Sequence, residues 1–112
     1  MIHLNIGSNL DSKFGDRFEN ISLAINLLIN SSLKIIKISN FYQTPSYPNR
    51  KLPFFLNVGI LANYKYDEIS LINEISKIEK KIGRLKSKKN DPRVCDIDII
   101  DFNGLITFSY TH

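Results

Sequence analysis

The sequence predicts an α+β domain in which two helices pack on one face of an antiparallel sheet. Three observations support this. Apolar and polar residues alternate with a period of two over residues 2–6, 54–64 and 93–102. Two further stretches, opened by Asp16 and Asp67, place apolar residues at helical spacing. Their order along the chain is strand, helix, strand, strand, helix, strand, which is the split β-α-β arrangement of ferredoxin-like folds.

Each element has its own local signal. Ile2, Leu4 and Ile6 alternate with His3 and Asn5, giving a half-buried first strand that ends at Gly7-Ser8-Asn9. Asp16 caps a helix whose apolar stripe is Phe18, Ile21, Ile25, Leu28 and Ile29. Residues 33–42, rich in Ile and aromatics, read as a second strand closed by Thr44-Pro45 and a loop with Pro48, Asn49 and Pro53. Residues 54–64 form the third strand, with Leu56, Val58 and Ile60 inward. Asp67 caps the second helix, with Ile69, Ile72, Ile75, Ile78 and Ile82 as its stripe and Gly83 as its stop. A basic loop, Arg84 to Asp91, leads to the fourth strand at residues 93–102. Asn103-Gly104 then signals a hairpin into an extra C-terminal strand at residues 105–110.

The 112 residues suit a single domain spanning 1–112, and 43% hydrophobic with 23% charged residues is an ordinary globular balance. A net charge of +4 favours anionic partners without choosing among a nucleotide, a nucleic acid and a membrane surface. The lone cysteine, Cys95, excludes an internal disulfide and reads as core packing. The N-terminus shows neither a signal peptide nor a membrane span, so a cytoplasmic location is expected.

The most informative residues for function are Asp96 and Asp98. Residues two apart on a strand point the same way about 6.5 Å apart, so two carboxylates there repel by about 2.5 kcal/mol at an effective dielectric near 20. A divalent cation removes that cost, and magnesium suits a pair of carboxylates completed by water and substrate phosphates. Arg84, Arg93 and the lysines between them bring cations to the same segment, as phosphate chemistry needs. The plain alternative is a solvated strand face. With Ile97 and Ile99 packed under the helices, Asp96 and Asp98 fall on the open face together with Phe55, Asn57 and Gly59 of the third strand. An aromatic ring, a carboxamide and two carboxylates on one face suit a flat heterocycle beside a metal-bound phosphate.

The ordered set Ile6-Gly7-Ser8-Asn9-Leu10, Phe41-Tyr42-Gln43-Thr44-Pro45, Phe55-Leu56-Asn57, Glu79 followed by Gly83-Arg84, and Pro92-Arg93 with Asp96-Ile97-Asp98-Ile99 resembles the 6-hydroxymethyl-7,8-dihydropterin pyrophosphokinases of folate biosynthesis. The resemblance covers nearly the whole chain. It implies a magnesium-dependent transfer of diphosphate from ATP to the hydroxymethyl oxygen of the pterin, releasing AMP. It also implies that Asp96 and Asp98 hold magnesium, two ions in all, and that Arg84 and Arg93 engage the phosphates and serve catalysis. Phe55 and Asn57 would meet the pterin, Gly7, Thr44 and Pro45 would shape its pocket, and Glu79 would lie near the nucleotide. Expected partners are ATP and the pterin, with no nucleic acid or membrane, and a monomer is expected.

The chain also departs from the family pattern. Lys89-Asn90-Asp91-Pro92-Arg93 stands where relatives carry Arg-Trp-Gly-Pro-Arg, Ser76 replaces a common Gln, and the sequence ends at Tyr110-Thr111-His112, short of a C-terminal Pro-His and Arg-x-Phe segment. The expectation is a C-terminally short pyrophosphokinase domain with weaker nucleotide affinity and slower turnover than a full-length relative. Alternative readings are a noncatalytic nucleotide- or RNA-binding module of the same topology, and an inactive truncated homologue. Asp96 and Asp98 argue against RNA, because a polyanion calls for Lys or Arg on that face.

Overall fold

The computed structural model describes residues 1–46, 51, 53–83 and 94–106. Its elements are β1 (Ile2–Ser8), α1 (Arg17–Asn30), β2 (Lys34–Ile38), β3 (Tyr42–Thr44), β4 (Phe55–Asn63), α2 (Glu68–Ile82), β5 (Asp96–Phe102) and β6 (Leu105–Ile106). They build one antiparallel sheet in the order β2-β4-β1-β5-β6, with β3 pairing the part of β4 that β2 leaves free. This is the expected ferredoxin-like core with an added hairpin strand. No described helix is long and apolar enough to cross a membrane.

Both helices cover the same face, because their apolar residues join the inward residues of the sheet in one buried cluster. Ile2, Leu4 and Ile6 of β1, Val58, Ile60 and Ala62 of β4, and Ile97, Ile99 and Phe102 of β5 meet Ile21, Ala24 and Leu28 of α1 and Leu71, Ile75, Ile78 and Ile82 of α2. Cys95 is fully buried, in keeping with a packing role. Leu56, expected in the inward set, is only partly buried against this cluster.

The helix starts follow the sequence closely. Asp16 accepts from the Glu19 amide while the Glu19 side chain accepts from the Asp16 amide, a reciprocal box that satisfies two otherwise unpaired donors. Asp67 accepts from the Ser70 amide at 2.9 Å. Gly83 ends α2 at φ +124, a conformation that L side chains rarely adopt. Asn103 and Gly104 both have positive φ, as the two-residue hairpin turn requires.

Three expectations need correction. Phe18 and Ile29 are outside the α1 core stripe, 54% and 49% exposed. Phe18 instead stacks on Phe41 at 5.0 Å, and the buried positions are Asn20, Ile21, Ala24 and Leu28. In α2 the exposed Ile69 gives way to Leu71, which is fully buried. The second strand is not continuous over 33–42. It breaks between β2 and β3, and β2 has a register shift between Ile35 and Lys37. Ser39 lies in the break, its hydroxyl accepting from the Gly59 amide at 2.8 Å.

A bulge in β5 sets which way its side chains point. Leu4 faces Ile99 whereas His3 faces Asp101, so Ile100 is an extra residue on β5. Without it Asp101 would follow Ile97 and Ile99 inward. With it Phe102 is buried and Asp101 turns outward to accept from the Gly104 amide at 2.7 Å. Arg93, expected as the start of this strand, and residues 107–110 of the last strand lie outside the described residues.

Candidate active site

The sheet register brings Gly7, Asn57, Asp96 and Asp98, among the expected site residues, together in rows across the open face. Directly opposed residues of antiparallel strands point to the same side. One row runs Tyr42, Asn57, Gly7, Asp96 across β3, β4, β1 and β5, and the next runs Gly59, Asn5, Asp98 across β4, β1 and β5. At about 4.8 Å per strand, the backbones of Asn57 and Asp96 are about 9.6 Å apart with Gly7 between them. Phe55 faces Thr44 at the β3 edge.

Asp96 and Asp98 are half-buried on this face, flanking the inward Ile97. They offer hard oxygen donors of the kind magnesium takes, and among the described residues no third His, Cys, Asp or Glu joins them. Such a pair fits an ion that completes its octahedron with water and phosphate oxygens, rather than one held in an all-protein cage.

Asn57 is only 7% exposed although it belongs to the open face. Its Nδ2 donates to Thr44 Oγ1 at 2.9 Å and lies 3.4 Å from the Phe55 carbonyl oxygen. Its Oδ1 faces β1, where Gly7 makes room for it. A Cβ built on Gly7 would stand 2.9 Å from Asn57 Oδ1 and 3.4 Å from Phe55 Cδ1. Gly7 is therefore needed for close approach, not for a turn. Thr44 is half-buried and Pro45 exposed at the mouth of this edge.

Glu79 occupies a position that sequence reasoning did not separate from a surface ion pair. It is 7% exposed, and its Oε2 accepts from the Ile97 amide at 2.9 Å. Among the described residues β6 pairs with β5 only at Asp101 and Phe102, so α2 sends a carboxylate to the outer edge of β5 at Ile97. That bond fixes the backbone between the two aspartates. Arg84 and Arg93 lie outside the described residues.

Two buried polar clusters, absent from the sequence reading, hold the loop after β1. Asn9 Nδ2 donates to Ser46 Oγ at 3.0 Å, and Ser46 Oγ donates to the Pro53 carbonyl at 2.6 Å. Asn20, fully buried in α1, donates to the Leu10 carbonyl at 3.0 Å and accepts from the Ser12 hydroxyl. Their only sequence signal was the Gly7-Ser8-Asn9 turn chemistry, because the partners are distant along the chain. His3 lies at the other end of the open face, in a shallow hollow shared with Lys37, Ser39, Gly59 and Leu61.

Known proteins resemble this chain in sequence. A family model described as 7,8-dihydro-6-hydroxymethylpterin-pyrophosphokinase matches residues 3–110. The folic acid synthesis protein fol1 of Schizosaccharomyces pombe is 30% identical over 93% of this chain and 14% of its own length. The 2-amino-4-hydroxy-6-hydroxymethyldihydropteridine pyrophosphokinase of Aquifex aeolicus is 35% identical over 88% of this chain and 59% of its own length. The like-named Bacillus subtilis protein is 28% identical over 90% and 59%. This chain thus spans about three fifths of these bacterial relatives and a much smaller share of the fungal one. With the family pattern running almost from end to end, over residues 3–110, the chain belongs to the 7,8-dihydro-6-hydroxymethylpterin-pyrophosphokinase family.

Proposed function

We propose that this chain provides the core of an enzyme that transfers diphosphate from ATP to 6-hydroxymethyl-7,8-dihydropterin in folate biosynthesis. The observation that supports it best is the shared row of Asn57, Gly7 and Asp96, which sets a carboxamide two strands from a carboxylate. In this reading Asp96 and Asp98 would hold two magnesium ions, and the chemistry such ions supply when bound is neutralisation of phosphate charge. Phe55 lies against the pterin ring, Asn57 bonds its edge, and Gly7, Thr44 and Pro45 shape the pocket around it.

The pterin hydroxymethyl oxygen forms a bond to the β-phosphorus, the bond from that phosphorus to the α–β bridging oxygen breaks, and AMP leaves as the hydroxyl proton is released. This chemistry depends on positioning and charge neutralisation more than on covalent catalysis. Arg84 and Arg93 supply bidentate donors to the phosphates, which lysine cannot reproduce. Glu79 acts from below by fixing the Ile97 amide, and so bears on the nucleotide through the strand that carries both aspartates.

The test is chromatographic detection of AMP after incubation with ATP, magnesium and the pterin, beside an Asp96→Ala/Asp98→Ala control. Pterin-dependent AMP that disappears in the control is the expected result. Folded wild-type protein that binds neither ATP nor pterin would overturn the reading.

A further inference from the structure

A chain of side-chain hydrogen bonds runs across the open face into Asn57. Tyr42 Oη donates to Asn5 Oδ1 at 2.6 Å, Asn5 Nδ2 donates to Asn57 Oδ1 at 3.4 Å, and Asn57 Nδ2 donates to Thr44 Oγ1 at 2.9 Å. We propose that Tyr42 and Asn5 are positioning residues that lock the carboxamide of Asn57 in the orientation that receives the heterocycle.

Fixed backbone carbonyls set the polarity of the whole chain. The Asn57 amide end that faces Thr44 also lies 3.4 Å from the Phe55 carbonyl oxygen and 3.5 Å from that of Tyr42. Carbonyl oxygens only accept, so the nitrogen must be at that end. Asn57 Oδ1 then faces β1, where Asn5 has to present its own nitrogen. That leaves Asn5 Oδ1 toward Tyr42, whose hydroxyl has to donate. Each link has a single polarity, and reversing one would set oxygen against oxygen at the next.

The outcome concerns what Asn57 has left to offer. Its Nδ2 is engaged on the β3 side, and Asn5 takes one lone pair of Oδ1. The second lone pair of Oδ1 remains as an acceptor held in one direction. Removing the Tyr42 hydroxyl frees Asn5 to rotate, and Asn57 then loses its restraint on the β1 side. Neither Tyr42 nor Asn5 is in the core: Tyr42 is 46% exposed and Asn5 is half-buried, so their removal leaves the fold intact.

The functional half of this inference rests on the pterin reading above, and the experiment separates the two. The Asn57 side-chain NH2 resonances are followed in nitrogen-15-labelled wild type, Tyr42→Phe, Asn5→Ala and the double variant. Affinities for fluorescent 6-hydroxymethylpterin and for a nonhydrolysable ATP analogue are measured alongside. The expected result is a shift of the Asn57 resonances in Tyr42→Phe without ligand, and pterin binding weakened about three- to tenfold, the range of one lost hydrogen bond. ATP-analogue affinity stays unchanged. The double variant binds pterin no more weakly than Asn5→Ala alone, because Tyr42 acts only through Asn5. Unmoved Asn57 resonances, or additive losses in the double variant, overturn the relay. A wild type that binds no pterin overturns the functional reading and the relay's purpose with it, while the resonances still decide whether the relay exists.

Discussion

Gly7→Ala tests the close approach at the centre of the open face. The added Cβ would lie 2.9 Å from Asn57 Oδ1, 3.4 Å from Phe55 Cδ1 and 3.7 Å from the Leu56 carbonyl oxygen. Only the first contact is prohibitive, and relieving it means moving the oxygen by about half an ångström toward ordinary contact. Asn57 is short and already tied to Thr44, so the shift strains or breaks that bond. Overpacking of this kind costs about 1–3 kcal/mol, against a gain of about 0.4–1 kcal/mol from restricting the unfolded chain. The net loss lies between about 0 and 2.6 kcal/mol, and its middle, about 1.3 kcal/mol, is a fall in Tm of several degrees for a domain near this size. Pterin binding should fall at least tenfold, since the carboxamide is displaced from the ligand's edge. Calorimetric melting and pterin fluorescence titration measure the two effects. An alanine variant that melts and binds like the wild type would refute the claim that this glycine exists for clearance.

Other expectations follow from the same contacts. Glu79→Leu leaves the Ile97 amide without its carboxylate and should destabilise the protein by about 1–3 kcal/mol, whereas Glu79→Gln, which still accepts, should lose much less. Urea unfolding of both variants checks this, and equal losses would contradict it. The Ser70 side chain and amide hold the Asp67 carboxyl below its usual range. A depressed folded pKa contributes stability that is full above the unfolded value near 3.9 and is lost as pH falls through the folded value. The Tm difference between wild type and Asp67→Ala should therefore be constant near neutrality and shrink below about pH 4. Phe55→Ala should weaken pterin binding while leaving ATP-analogue affinity unchanged, which paired titrations would show.

What could be read from the sequence was local or strictly periodic. Asp16 and Asp67 announced the helix starts because a cap needs only residues within one turn, and Gly83 and Asn103-Gly104 announced stops and turns through backbone sterics. The outward placement of Asp96 and Asp98 followed from a period of two and two buried isoleucines. What escaped depended on partners distant in sequence. Phe18 is as apolar as any core residue, yet it stacks on Phe41 at the surface, while polar Asn20 is buried because Leu10 and Ser12 satisfy it. Nothing in the α2 pattern marks Glu79 as the residue that reaches β5. Asn57 was legible as a candidate from strand alternation and from family resemblance, but its close contact with Gly7 and its link to Asn5 and Tyr42 emerge only with the register.

The central position of β1 also bears on how the chain acquires its shape. β1 precedes both of its partners along the chain yet lies between β4 and β5, and Gly7 must find both Asn57 and Asp96. Until β5 has been made, one edge of β1 exposes unpaired amides and carbonyls beside Ile2, Leu4 and Ile6, the arrangement that invites pairing with a neighbouring chain. Pairings of such sequence separation also fold slowly. Chains interrupted before residue 96 should therefore accumulate as aggregates rather than as partly active protein, and the two aspartates complete the last central pairing that the sheet requires.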